Sequence, residues 1–190
     1  MIVMKTAVKV LFVVVMLFCL LLGSNALDID INNEESSNDS WESTVLEQSD
    51  GKKLSVKLPF ALDGHKEIDN IDSVRKEEKF YHQVDDITVA IDHGVMNNPN
   101  AEVDFSQETF LMDYGDLDDK NCEKIEEKDI HGQKMTYAKI SAKKNNYPYT
   151  FECFGIHDGR NYWIITYIYN ENNKASKELV EKSIKSIEFH

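Results

Sequence analysis

Two dipeptides hold the residue types most apt for chemistry. Asp92-His93 closes one alternating segment, and His157-Asp158 stands at a tight turn. Two imidazoles and two carboxylates suit zinc or a similar divalent ion, provided the two segment ends meet in space. The other reading is a pair of surface histidines beside turn aspartates, with no cofactor. A calcium reading rests only on the acidic run Asp113, Asp116, Asp118, Asp119 with Asn121, which reads first as the solvated end of a helix. Cys122 and Cys153 are the two thiols beyond residue 26, and they lack the Cys-x-x-Cys spacing of a redox centre. Nucleophile elbow, phosphate loop, zinc-protease helix and dinucleotide fingerprint are all missing from the sequence, so catalysis is not expected.

Aromatic residues offer a different kind of site. Residues Tyr162 to Tyr169 run almost without a polar break, whereas a half-buried strand should alternate. Asp158-Gly159 is a strong hairpin signal because both residues tolerate positive φ, and Lys143 to Asn146 reads as a four-residue turn. Counting from these turns separates two faces. One carries Ala138, Ile140, Ala142, Tyr149, Phe151, Cys153, Tyr162, Ile164 and Ile168 and calls for a covering helix. The other mixes Met135, Tyr137, Phe154, Trp163, Ile165 and Tyr167 with Lys139, Thr150 and Glu152. Trp163, Tyr167, Tyr137 and Phe154 on that mixed face are either a second core or a surface for a partner.

The same register bears on the thiols. It sets Cys122 opposite Ser141 on the mixed face and Cys153 on the apolar face, which opposes a Cys122–Cys153 disulfide. Export to an oxidising compartment favours that bond, so the two arguments leave it open.

These residues must be positioned by an alternating strand at Lys53 to Leu58, two more at Val74 to Tyr81 and Ile87 to Asp92, and then a helix. Asp104 with Gln107 resembles its capping box, and Phe105, Phe110, Leu111, Tyr114 and Leu117 form its stripe. Four strands follow at Cys122 to Ile130, Gln133 to Ala142, Tyr149 to His157 and Arg160 to Tyr169. An amphipathic helix at Lys174 to Ile187 closes the chain. The expected class is α+β: an antiparallel meander sheet flanked by two helices.

The first 26 residues read as a signal peptide: Lys5 and Lys9, an apolar run from Val10 to Leu22, then Gly23-Ser24-Asn25-Ala26. At 13 residues the run is short of the roughly 20 that a spanning helix needs, so no transmembrane segment is expected after cleavage. Phe18 stands where a lipobox before Cys19 needs a small residue, which argues against a lipid anchor. Without the leader, 19 basic residues face 34 acidic ones, a net charge of −15. Such a field repels nucleic acid and anionic lipid. Residues 27–50 contain no Lys or Arg and read as a disordered acidic linker. One domain is then expected over residues 51–190.

The opening "LSVKLPFAL", the late strand "YWIITYIY", the polar loop "NENNKAS" and the closing "KELVEKSIKSIEF" together resemble the PsbP-like and DcrB-like secreted proteins. That resemblance implies a non-enzymatic accessory or binding module, secreted or periplasmic, with an antiparallel sheet flanked by helices. Its partner would be a protein or a cell-envelope component. The alternative is an extracytoplasmic divalent-cation-binding module using Asp92, His93, His157 and Asp158.

Overall fold

The computed structural model describes residues 41–47, 52–71, 74–84, 86–98, 100–115 and 117–190. Residues 1–26, expected to be a signal peptide, and most of the expected linker at 27–50 lie outside these residues. The fold is α+β and dominated by antiparallel sheet. Seven strands form the main sheet: β3 (Gly64–Ile71), β4 (Val74–Val84), β5 (Ile87–Met96), β6 (Asp118–Ile130), β7 (Gln133–Lys144), β8 (Tyr147–Asp158) and β9 (Asn161–Tyr169). Their order is β3-β4-β5-β9-β8-β7-β6. A small sheet of β1 (Glu42–Glu47), β2 (Lys53–Leu58) and β10 (Glu188–Phe189) lies apart, with β2 in its centre.

The tight turns follow from residues that accept positive φ. His131-Gly132 joins β6 to β7 at φ 52° and 85°, and Asn145-Asn146 joins β7 to β8 at 52° and 67°. Both are two-residue turns of the type whose twist suits a hairpin. The last hairpin turns at Gly159-Arg160, one residue later than expected, so Asp158 pairs with Asn161 and Phe154 with Ile165. The β7–β8 turn likewise holds two residues instead of four, and Lys144 pairs with Tyr147. Each error moves a partner by two positions, which keeps every side chain on its expected face.

Both faces of the main sheet are therefore covered over its central strands β5, β9, β8 and β7. Ala138, Ile140, Ala142, Phe151 and Cys153 pack under Phe110, Leu111 and Leu117. Phe110 and Leu111 belong to α1 (Gln107–Leu111), which continues as a 3₁₀ turn at Met112–Tyr114. Ser106, not Asp104, caps α1, its hydroxyl accepting from the Thr109 amide. The helix is shorter than its apolar stripe predicted, because Leu117 joins the core from beyond the turn.

The mixed face holds the larger core. Met135, Tyr137, Phe154, Trp163, Ile165 and Tyr167 meet Leu54, Val56 and Leu58 of β2 together with Val180 and Ile187. Val180 comes from α2 (Lys174–Ile184), which the Asn173 side chain caps. Polar groups on this face are satisfied internally: Tyr137 and Tyr169 donate to Glu152 at 3.0 and 2.7 Å, and the Tyr167 and Ser183 hydroxyls meet at 3.0 Å.

Two elements lie where other structure was expected. Glu42–Glu47, inside the predicted linker, is a strand paired along its length with β2, and Leu46 packs on the larger core. Trp41 lies under the Lys182 ammonium, 4.0 Å from the ring centre. Strand β3 was not anticipated at all.

Candidate functional site

The four aromatics proposed as a partner surface are buried: Trp163 is 4% exposed, Tyr137 5%, and Tyr167 and Phe154 0%. The small sheet and α2 cover them, so the mixed face is a core and offers no surface. The metal quartet does not assemble either. Neighbours on a strand point to opposite faces; Asp92 therefore faces the α1 side while His93 stacks on Trp163 at 4.3 Å on the other. His157 pairs with Tyr162 on the far side of β9, two strands from β5, and Asp158 is ion-paired with Lys52.

Nor are the cysteines bonded; both are free thiols. A bulge in β6 between Cys122 and Lys124 moves Cys122 opposite Ile140, onto the same face as Cys153, where the uninterrupted count had placed it on the other. Strand β7 still separates them. Two strand spacings of roughly 4.8 Å exceed the ~7 Å limit for bridging alpha carbons.

The structure assembles a different group on the α1 side. Alternate residues Glu77, Lys79 and Tyr81 of β4 face Gly94, Asp92 and Ala90 of β5. The 3₁₀ turn lowers Asp113 and Tyr114 onto them. The Lys79 ammonium stands 3.2 Å from Asp92 and hydrogen-bonds Asp113, with the ring of Tyr114 5.6 Å away. Tyr162 donates to Glu77 at 3.1 Å. Glu77, Lys79 and Asp92 are each 7% exposed.

Three carboxyl groups share one ammonium here, so not all of them ionise freely. Burial, followed by the charges of Asp92 and Asp113, pushes Glu77 up to about 7. Burial also lifts Asp92 to about 6, against the pull of Lys79. For Lys79 burial works against the charge, but Asp92, Tyr114 and Asp113 outweigh it and hold the ammonium well above its ordinary value. Burial raises the Tyr114 phenol and the Cys153 thiol. Near neutral pH, Lys79 and Cys153 are therefore poor nucleophiles, and the buried carboxyls Glu77 and Asp92 are the groups here raised toward neutrality.

Beside this cluster opens a cleft of about 180 Å³. Tyr81, Ala90, Tyr114, Leu117, Tyr149, Phe151 and Ile168 supply its apolar walls, with Lys79 and Asp113 among its polar lining. Asp113 was legible only as part of an acidic run, read first as a solvated helix end and second as a calcium ligand. Lys79 and Glu77 gave no signal because "RKEEKF" reads equally well as helix.

No protein-family model matches the chain, and no curated protein does. Among solved structures, the chain is similar to PA94, a Pseudomonas aeruginosa protein of unknown function, at 11% identity and a TM-score of 0.41, covering 74% of this chain and 91% of that one. A Bacteroides thetaiotaomicron protein is similar at 14% identity and the same TM-score, over 72% of this chain and 45% of that one. Neither likeness bears on what the cleft does.

Proposed function

We propose that the chain is an extracytoplasmic, non-catalytic binding domain of the PsbP-like kind, and that the cleft beside Tyr114 receives one apolar group of a protein or cell-envelope partner. The cleft carries this reading. At about 180 Å³ it is smaller than the roughly 300–1,000 Å³ of sites for drug-sized ligands, a size suited to a single anchoring side chain or a short acyl segment. Its aromatic and aliphatic walls favour such a group, and deeply seated anchors dominate binding energy. Lys79, locked between Asp92 and Asp113, supports a binding role over covalent chemistry. Among the described residues no helix is long and apolar enough to cross a membrane.

The test uses a small apolar reporter, 1-anilinonaphthalene-8-sulfonate, titrated into the folded chain. Saturable binding that weakens at least tenfold in both Leu117→Glu and Tyr149→Ala is expected. Absence of saturable binding, or indifference to both substitutions, would overturn the assignment.

A further inference from the structure

On the opposite face of the sheet, β3, β4 and β5 bring a second set of groups into one row. Glu67 pairs with Glu78, and Glu78 with His93; His65 stands two residues before Glu67 and so on the same face. His65 Nε2 lies 3.9 Å from Glu67 Oε1 and 3.8 Å from Glu78 Oε1. One ligand atom from each of the three falls within 4.8 Å of the others. The rings are held in place. His65 stacks on Phe80 at 4.7 Å, and His93, stacked on Trp163, presents Nδ1 3.7 Å from Glu78 Oε2. Lys76 Nζ stands 3.1 Å from Glu78 Oε1 and 3.6 Å from Glu67 Oε1, where a bound cation would also lie.

We propose that His65, Glu67 and Glu78 bind a first-row divalent transition metal ion, with zinc as the reference, in competition with the Lys76 ammonium. The donor set is one imidazole and two carboxylates, leaving a fourth position open to water. With metal–ligand bonds of roughly 2.0–2.2 Å, tetrahedral geometry sets the ligand atoms about 3.4 Å apart. The two His65 separations, 3.9 and 3.8 Å, exceed that value by about half an ångström or less, and the two carboxylate oxygens lie within 4.8 Å of each other. Calcium and magnesium prefer six or more oxygens, which this set does not supply. His65 and Glu67 side chains are 44% and 50% exposed, so an ion reaches them from solvent. Displacing Lys76 costs only a surface ion pair. His93 stands behind Glu78, across the strand pair from it. The site lies across the sheet from the cleft and does not depend on the function proposed for it.

Calorimetric titration of zinc chloride into the full chain at pH 7.5 tests the assignment. One equivalent should bind, magnesium chloride should give no comparable event, and His65→Ala and Glu78→Gln should each weaken zinc at least tenfold. Lys76→Gln should tighten it severalfold, because it removes the competing charge. That substitution alters only a surface side chain, so it remains informative if another variant melts early. Failure of zinc to bind saturably would overturn the site, as would a Lys76→Gln chain that binds no better. Uptake that survives His65→Ala would assign the ion to the exposed pairs His82–Asp63 or His190–Glu188 and overturn it equally.

Discussion

Tyr162 lies across the backbone of Gly94 and reaches Glu77 on the strand beyond, donating its hydroxyl at 3.1 Å. A Cβ at position 94 would stand 2.1 Å from the Tyr162 ring. Gly94→Ala should therefore displace the ring, leave Glu77 without its donor, and destabilise the fold by about 2–4 kcal/mol. Tyr162→Phe, which removes only the hydroxyl, should cost about 1–2 kcal/mol. Urea unfolding measures both, and equal midpoints for Gly94→Ala and the parent would refute the steric argument.

Glu77 gives the fold a pH dependence opposite to that of a paired surface carboxylate. Its pKa rises from 4.5 to about 7, so through that interval the folded chain keeps a proton that the unfolded chain has lost. The group's stability contribution is complete below about pH 4.5 and is lost as pH climbs to 7. Glu77→Gln removes the titration. Relative to the parent, it should gain on the order of 3 kcal/mol between pH 4.5 and 8; parallel stability curves would count against the assignment.

Trp163 and Ile164 are neighbours with unequal burdens. Trp163 is 4% exposed in the larger core, while Ile164 is half-buried at the margin of the α1-side cluster. Truncation of Trp163 to Ala should cost about 3–5 kcal/mol, and truncation of Ile164 about 2 kcal/mol or less. Iodide should quench Trp163 weakly in a Trp41→Phe background. Strong quenching would mean that the face is open.

A chain beginning at residue 48 should melt at least about 5 °C below one beginning at residue 27. The loss follows from removing β1 and the Leu46 side chain from the edge of β2. Thermal scans of the two chains compare them directly, and coincident melts would show that β1 adds nothing.

The two faces of the meander were readable because apolar alternation is insensitive to even register errors. The β6 bulge is an odd shift, and nothing in "NCEKI" announces it. Strand β3, "GHKEIDNI", escaped notice because an edge strand with charged residues lacks the hydrophobic signal of a buried one. The buried charge cluster was hidden for a related reason. Glu77 and Lys79, Asp92, and Asp113 come from three separate segments, and each segment alone resembles solvated surface. His93 was singled out together with His157, whereas its cross-strand neighbour on β4 is Glu78, 15 positions earlier.

Strand β2 is clasped on one side by β1 and on the other by β10, whose Phe189 pairs with Leu54; Lys53 and His190 exchange two backbone hydrogen bonds at 3.0 and 2.9 Å. The hairpins from β6 to β9 are local and can form early, but this closure joins positions far apart in sequence and pays its loop entropy last. During synthesis, the sheet face bearing Trp163 and Tyr167 stays unroofed until α2 and β10 have left the ribosome. A nascent chain stalled before Lys174 would expose that aromatic face to chaperones, and pulsed amide exchange should find β10 among the last segments to gain protection.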